Sequence, residues 1–523
     1  MRFLFADHVL DTDTRELRGG SELVPIEPQV FDLLVYLLEN HDRIVSKDDL
    51  INAVWNGRVV SDSTLTSRIN AARKAVGDSG LNQTLIRTVA RKGIRFIGEV
   101  RPEPGAGGPA PQDRQPAAAP LSDRPAIVVL PFVNISSDVE QQYFADGITG
   151  NLTTDLSRIP DMLVISRNTA FAYQKKPIDT KQIGRELGVR YVLEGEVQRT
   201  GDQVRVTAQL IDAETDVHLW AERFTGTSDD LFTLQDEITS RIAVALDLEL
   251  VEAEASRPME RPDTRDFLFR GRAVRLRPPS RENRTEAIAL FERALALDPQ
   301  SATAQGWVAI ALTARALDFM AGSAAADIAR ADDLADSALA GLPRSAIAHF
   351  AKAQVLRAQH RYSEAISEYE TVLALNRNWA HAYSHLGWCK FMSGSVEDLI
   401  PSQQQAIRLS PRDPQIGLFY SRIGSAHLLQ SRTDEAIVWY ERARNAAPAH
   451  PEFRTFLAAS HALKGDTESA GVELAEARRL VGDGRYASIA RFRSLSTWGV
   501  PEVSALADAT YFDGLRRAGV PDE

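Results

Sequence analysis

Apolar positions outline this chain before any single residue does. In the back half, small residues recur at a fixed spacing: Ala287, Ala294 and Pro299; Ala331, Ala338 and Pro343; Ala436, Ala443 and Pro448. Leu399, Ala406 and Pro411 form a variant, and Ala470 with Ala477 repeats the pattern without the proline. Each set closes a helical pattern, and the sets return at about the 34-residue scale of a helical hairpin. Small side chains let two helices approach closely. The proline ends the second helix because it lacks an amide hydrogen. Six copies are expected, with a longer first spacing that places an insertion near 319–325 and a cap from Tyr486 onward.

The middle of the chain reads differently. Ile127-Val128-Val129-Leu130 is a continuous apolar run of strand length, and Val204, Val206, Ala208 and Leu210 alternate as a half-exposed strand does. Further strands are expected at 162–166, 191–198 and 217–224, with a hairpin turn at Thr200-Gly201-Asp202. Ile148, Leu152 and Leu156 share one helical face, preceded by Asp146-Gly147 as a cap. A short helix falls around 183–187, and Leu231, Leu234, Ile238, Ile242 and Leu246 line a long closing helix.

The first hundred residues open with strand-like segments near 3–10 and 16–18. Glu27-Pro28 starts a helix carrying Phe31, Leu34, Val35 and Leu38 on one face. Ser46 with Asp49 three residues on forms the start of a second helix, toward Leu50, Val54 and Trp55. After a loop at Asn56-Gly57-Arg58, Asp62 or Ser63 caps a third helix. Leu65, Ile69, Ala72 and Val76 face inward there, and Gly77 closes it. Two strands at 85–89 and 94–97, joined at Arg91-Lys92-Gly93, make a hairpin.

Composition changes this outline in three places. At 523 residues the chain is too long for one core. Prolines at 102, 104, 109, 111, 116 and 120 among Gly, Ala and Gln mark 101–123 as a semi-extended linker. The expected division is therefore 1–100, the linker 101–123, a middle domain 124–255, repeats 262–485 and a cap 486–523. The net charge of -11 excludes polyanion binding by bulk charge. The single cysteine, Cys389, excludes an internal disulfide framework and fits a reducing, cytoplasmic setting as a small buried residue. The longest apolar run, 126–133, falls far short of the ~20 residues that span a bilayer, so no membrane is expected.

Against that acidic total, residues 58–95 hold eight basic residues (Arg58, Arg68, Arg73, Lys74, Arg87, Arg91, Lys92, Arg95) and two acids (Asp62, Asp78). With its apolar stripe inward, the third helix turns Thr66, Ser67, Arg68, Asn70, Ala71, Arg73 and Lys74 outward. Donors mixed with small residues suit a helix seated in a DNA major groove. The hairpin tip, Arg91-Lys92, suits the neighbouring minor groove or phosphate. A helix alone would read as a solvated charged face; the hairpin that follows favours DNA.

Three motifs in order then carry a resemblance: Pro28-Gln29-Val30-Phe31-Asp32-Leu33-Leu34, Thr64-Leu65-Thr66-Ser67-Arg68-Ile69, and residues 85–96 from Leu85 to Phe96. Residues 1–100 resemble the OmpR/PhoB-type winged-helix DNA-binding domain of CadC-like and HilA-like bacterial regulators. The resemblance implies that the third helix is the recognition helix. Thr64, Thr66, Ser67, Arg68 and Asn70 would serve DNA, with Thr66, Arg68 and Asn70 near bases. Arg73, Lys74, Arg87 and Thr88 would lie nearer the backbone, and Arg91 with Lys92 would form the wing tip. Ala71-Ala72 departs from the bulkier and more basic pattern usual in that family. No receiver domain precedes it, so aspartate phosphorylation is not the expected trigger.

The runs Val129-Leu130-Pro131-Phe132, Tyr143-Phe144-Ala145-Asp146-Gly147-Ile148, Tyr191-Val192-Leu193-Glu194-Gly195 and Leu219-Trp220-Ala221-Glu222-Arg223 resemble a TolB amino-terminal-like module. Leu386-Gly387 with Gly394, and Gly424 with Ala436, Ala443 and Pro448, resemble tetratricopeptide (TPR) repeats. The expected architecture is multidomain α+β: a winged helix, a central α/β sandwich and an α-helical TPR solenoid. His381 and His385 share a helix face but lack the glutamate of the zinc-protease motif. No phosphate loop, dinucleotide fingerprint or nucleophile elbow is present, so neither a cofactor, a metal nor an enzymatic activity is expected. The expected function is a DNA-binding transcriptional regulator on double-stranded promoter DNA. A protein or peptide partner in the TPR groove, RNA polymerase contact and pairing on DNA go with it. The competing reading is a TPR scaffold with an accessory winged helix.

Overall fold

A computed structural model describes the chain apart from residues 1, 13–15, 21, 25, 42, 48, 51–53, 55–61, 80–81, 90–92, 99, 104–124, 137–141, 160–161, 175–178, 201–202, 228–230, 258–261 and 496–497. The chain forms two compact units, residues 1–116 and 117–523.

In the first unit, β1 (Arg2–Phe5), β2 (His8–Asp11), β3 (Glu16–Gly19) and β4 (Glu22–Val24) form an antiparallel meander. The segment expected as one strand near 3–10 is two, because the chain turns at Ala6, whose φ is 48°. After α1 (Pro28–Glu39), residues Lys47, Asp49, Leu50 and Val54 are helical. Ser46 and Asp49 cap each other there: the Asp49 amide donates to Ser46 Oγ at 3.1 Å, and the Ser46 amide to Asp49 Oδ2 at 3.1 Å. Then come α2 (Asp62–Ala75) and the hairpin of β5 (Ile86–Val89) and β6 (Gly93–Phe96). Residues 101–103, expected to open the linker, instead complete β7 (Val100–Glu103), which pairs with β1 and closes the sheet in the order β4-β3-β2-β1-β7. Backbone pairing with β1 overrides the proline at 102.

The second unit begins with the sheet β10-β8-β11-β12-β13, with β9 also on β11. Its strands are β8 (Ala126–Val129), β9 (Val133–Asn134), β10 (Leu163–Val164), β11 (Tyr191–Thr200), β12 (Gln203–Asp212) and β13 (Val217–Thr227). Helices cover both faces: α3 (Gln142–Leu156) and α6 (Leu231–Ala255) on one, α4 (Arg167–Phe171) and α5 (Thr180–Leu187) on the other. β8 shows why its sequence is continuously apolar. Ile127 and Val129 enter the α3–α6 core, whereas Ala126 and Val128 enter the α4–α5 core. Asp146-Gly147, expected to cap α3, lies inside it, and Asp146 accepts from Gln142 Nε2 at 2.8 Å. A Cβ on Gly147 would come within 2.7 Å of the amide end of the Gln235 side chain on α6, which would have to move aside.

Six helical hairpins follow: α7 (Thr264–Leu276) with α8 (Arg281–Leu297), α9 (Ala302–Leu317) with α10 (Ala324–Gly341), α11 (Ala346–Ala358) with α12 (Tyr362–Leu375), α13 (Ala380–Met392) with α14 (Leu399–Leu409), α15 (Ile416–Leu429) with α16 (Thr433–Ala446), and α17 (Pro451–Leu463) with α18 (Thr467–Val481). The recurring alanines are buried, and the recurring prolines follow the ends of α8, α10, α14 and α16. The expected insertion is the loop at 318–323. Short helices α19 (Ile489–Leu495), α20 (Pro501–Ala507) and α21 (Asp513–Arg517) join the core of the last hairpins and so cap them. Arg485 Nη2 donates to the Phe319 carbonyl at 3.3 Å, so the array winds far enough for its last hairpin to reach its second.

The sheet domain and the repeats share α6. Leu234, Ile238, Ile242, Leu246 and Leu250 pack on the sheet, while Val244 packs beside Ala380, Ala406, Leu409 and Phe419 of the repeats. Asp247 of α6 takes Arg272 of α7 through both carboxylate oxygens at 2.8 Å. Truncating Ile242, fully buried, to Ala should cost about 2–5 kcal/mol. Calorimetry is expected to show a lowered melting transition for residues 117–523 and an unchanged one for residues 1–116.

Candidate nucleic-acid interface

The candidate interface is built by α2 and the β5–β6 hairpin, and their mutual placement depends on Asp78. This carboxylate is 7% exposed and accepts from the amides of Ser79 (2.8 Å), Thr84 (2.9 Å), Leu85 (3.0 Å) and Ile86 (2.9 Å), and from Thr84 Oγ1 (3.0 Å). Burial works to raise its pKa; the backbone donors outweigh burial and hold it well below the usual carboxylate range. Gly77, with φ 68°, ends α2 in the left-handed region and delivers the chain to Asp78. At the other end of the hairpin, Val45 and Ile94 exchange backbone bonds of 2.7 and 2.8 Å. Gly93, with φ 136°, permits this: a Cβ there would lie 2.0 Å from the Val45 carbonyl oxygen.

On α2, Leu65, Ile69, Ala72 and Val76 are buried, as the spacing predicts. Thr66, Ser67, Asn70 and Lys74 are exposed, and Arg68 is half-buried. Arg68 Nη1 forms an ion pair with Glu27, the residue that precedes α1. Arg73, expected on the outer face, is a correction. It is 5% exposed and reaches across to the hairpin, donating through Nε to the Ile86 carbonyl at 3.0 Å and through Nη2 to Thr88 Oγ1 at 2.8 Å. Its Nη1 donates to Asn70 Oδ1 at 3.2 Å. The reason is periodicity: Arg73 follows Ile69 by four residues and so shares the inward stripe. Ala71 is likewise half-buried. On the hairpin, Arg87, Thr88 and Arg95 are exposed. The Thr64 side chain, Arg58, Arg91 and Lys92 lie outside the described residues. Sequence reasoning missed Glu27 as the partner of Arg68, and treated Asp78 only as a charge. The signal for Asp78 was its place directly after the Gly77 helix stop.

His381 and His385 do not converge on one ligand. His381 Nε2 lies 3.3 Å from Asp413 Oδ1, and His385 Nδ1 lies 2.9 Å from Arg422 Nη2. Among the described residues no cluster of three His, Cys, Asp or Glu side chains could hold a metal ion. Cys389 is buried, and burial pushes its thiol up to about 11. No helix among the described residues is long and apolar enough to cross a membrane.

Known families match in the same order. Residues 20–96 match the model of a transcriptional regulatory protein C-terminal domain, 122–241 the second domain of HilA/YgeH-like transcriptional regulators, and 350–414 a tetratricopeptide repeat. The chain therefore carries an OmpR/PhoB-type DNA-binding domain, a HilA-like regulator domain and TPR repeats. The match over the middle residues is to the HilA-like domain, and the TolB resemblance has weaker support. Among relatives, a Rhizobium meliloti protein named "Putative adenylate cyclase 3" is 39% identical over 249 residues, 47% of this chain and 42% of that protein. Transcriptional regulator HilA of Salmonella typhi is 35% identical over 111 residues, 21% of this chain and 19% of HilA. Transcriptional activator CadC of Escherichia coli is 31% identical over 81 residues, 15% of this chain and 16% of CadC. The chain thus spans less than half the length of each of these relatives.

Two side chains on α2 should separate stability from binding. Replacing Arg73 by Met strands the Ile86 carbonyl and Thr88, and should cost the first unit about 1–3 kcal/mol. Lys74→Ala should leave melting unchanged. Asp78→Asn should cost about 2–4 kcal/mol by setting amide hydrogens against backbone donors. Because the folded pKa of Asp78 is depressed, its contribution is full above the ordinary value of 3.8 and is lost as pH falls below it. Denaturant melts of the first unit should lose stability in acid, and Asp78→Asn should flatten that dependence.

Proposed function

We propose that this chain is a DNA-binding transcriptional regulator. One observation carries the reading: an exposed polar and basic face of α2, Thr66, Ser67, Asn70 and Lys74, set beside Arg87 of the hairpin within a domain of the OmpR/PhoB type. In this proposal α2 enters the major groove of promoter DNA. Thr66, Arg68 and Asn70 approach base edges, while Lys74, Arg87 and Thr88 serve phosphates. Thr64 and Ser67 complete the face. Arg91 and Lys92 at the hairpin tip serve the minor groove or backbone. Arg73 holds the hairpin to the helix and acts on DNA only through that placement.

Glu27 competes with DNA for Arg68. An exposed ion pair is weak, typically ~0–1 kcal/mol, so phosphate or guanine can displace it. The middle domain and repeats are assigned to sensing: they take a ligand or a protein or peptide partner and alter pairing on DNA or contact with RNA polymerase. No chemistry of its own is assigned to the chain. The match to a protein named as a cyclase makes a turnover assay the direct check of that point.

The test is binding of the full chain to DNA from upstream of its own gene, against a scrambled duplex, at two salt concentrations. The upstream fragment should be preferred, and affinity should fall steeply with salt. Arg68→Ala should erode the preference by about 1–3 kcal/mol. Arg87→Ala should weaken both duplexes alike, and Glu27→Ala should tighten binding by about two- to fivefold. Equal affinity for both duplexes, unchanged in Arg68→Ala, would overturn the assignment.

A further inference from the structure

A cavity of about 510 Å³ lies where α6 meets the repeats. Its volume falls in the ordinary range for small-ligand sites. Its floor includes Asp247 and Val244 of α6, and its walls come from α7, from Trp307 of α9, and from the loops that lead into α11 and α13. The first turns of α9, α11 and α13 all border it, through Thr303, Ala346, and Ala380 with His381. Helix N-termini present free amide hydrogens and the positive end of the helix dipole. Ser301 and Ser345 cap α9 and α11, accepting from the Ala304 and Ala348 amides at 3.3 Å, whereas Trp379, which precedes α13, supplies no side-chain cap.

The polar side chains around this space are unequally satisfied. Each of its three carboxylates is engaged: Asp247 by Arg272, Asp155 by Arg158 at 3.0 Å and Arg377 at 3.6 Å, and Asp413 by the His381 ring at 3.3 Å. Two arginines of the lining have no such partner. Among the described residues Arg275 makes no ion pair and its buried Nε has no hydrogen-bond partner, and its guanidinium lies 5.2 Å from the Trp307 ring centroid. Arg344 stands exposed at the loop into α11. Burial first, then the guanidinium charges of Arg284 and Arg272, lower the Arg275 pKa to about 10. Most telling is Asn378. It is 8% exposed, lines the cavity, and neither its Oδ1 nor its Nδ2 has a partner among the described residues. A buried amide left wholly unpaired costs free energy on both atoms, so its retention points to a ligand.

We propose that the cavity binds a small organic anion of nucleoside monophosphate size. Arg275, Arg344 and the uncapped N-terminus of α13 take its anionic group. Trp307 and Trp379 border the space, their ring faces already covered by Phe291 with Arg275 and by Phe350, so a ligand ring meets them at their edges, and the Asn378 amide reads a paired donor–acceptor edge of that ring, as Asn does on adenine. The ligand would bridge α6 and the repeats. Its effect at DNA rests on the regulator reading, but its binding does not, because binding is measured on the chain without DNA.

The experiment is isothermal titration of the full chain with AMP, with adenosine and inorganic phosphate as controls, alongside tryptophan fluorescence. AMP should bind one site and change the fluorescence, while adenosine and phosphate bind about tenfold or more weakly. Arg275→Gln should weaken AMP by about tenfold or more. Asn378→Leu should weaken AMP similarly, yet leave the ligand-free melting temperature level or raised, because it removes two unpaired buried atoms. A purely structural Asn378 would instead lower that temperature. No heat and no fluorescence change with AMP would overturn the proposal. So would adenosine binding as tightly as AMP, or both variants binding AMP as the parent chain does.

Discussion

The second unit depends on one helix serving two cores. α6 is 25 residues long, about 37 Å at the α-helical rise. Its apolar residues at four-residue intervals from Leu234 to Leu250 complete the sheet domain. That stripe leaves the opposite side of the helix for the repeats, where Val244 and the Asp247–Arg272 pair sit. Neither core closes without it. Further ion pairs follow the same seam: Arg377 with Asp236 at 3.1 Å and Arg412 with Glu222 at 3.2 Å. These exposed pairs add register more than stability. The sheet domain and the repeats therefore form one body, and the space between them is shaped by both.

The first unit solves a different problem, which is to hold a helix and a hairpin at a fixed angle with little core. Among the described residues, α1, α2, Leu50 and Val54 of the second helical segment, and short strands surround its apolar centre. Polar side chains do the remaining work. Asp78 gathers the backbone donors of the turn, Arg73 ties α2 to β5, and the Val45–Ile94 bridge ties β6 to the second helical segment. The consequence is chemical as well as mechanical. Committing Arg73 inward removes one cation from the outer face and leaves Lys74 and Arg87 to supply charge there. Ala72, fully buried, is small because the helix lies close to this centre.

Legibility followed sequence distance. The apolar stripe of α2, the Ser46–Asp49 cap, the alternation of β12 and the alanine–proline rhythm of the repeats are local, and each was readable from spacing alone. The turn at Ala6 was missed because Phe3 to Leu10 is apolar enough to read as one strand. β7 was missed because a proline-bearing segment reads as linker until its partner β1, about a hundred residues away, is known. Asp146-Gly147 was misread because a helix cap and a helix crossing both favour glycine beside a short polar residue. The outward face of α2 holds at Thr66, Ser67, Asn70 and Lys74; Arg68 and Ala71 are half-buried, and at Arg73 charge suggests solvent while periodicity dictates burial. The cavity had no local signature at all, since Asp155, Asp247, Arg275, Arg344, Asn378 and Asp413 meet only through the tertiary fold.

Two arginines in the repeats show why pairing, more than burial, marks a site. Arg422 is 5% exposed, and burial with the nearby Arg357 charge lowers its pKa to about 9. It is nevertheless satisfied: Nη1 donates to Ser384 Oγ at 2.6 Å, Nη2 faces His385 Nδ1 at 2.9 Å, and Trp388 lies 5.3 Å away. Accepting that bond requires His385 to keep Nδ1 unprotonated, which agrees with its pKa being pushed well below the ordinary value by burial and by Arg422. Ser384 in turn donates to Gln403, so the network closes on itself. Arg275 has a similar stacked tryptophan but no such network, and Asn378 across the same space has none either. Unpaired guanidinium nitrogens occur elsewhere in the chain, as at Arg377 Nε, but Arg275 and Asn378 leave theirs facing one cavity. The difference therefore belongs to what the second arginine faces.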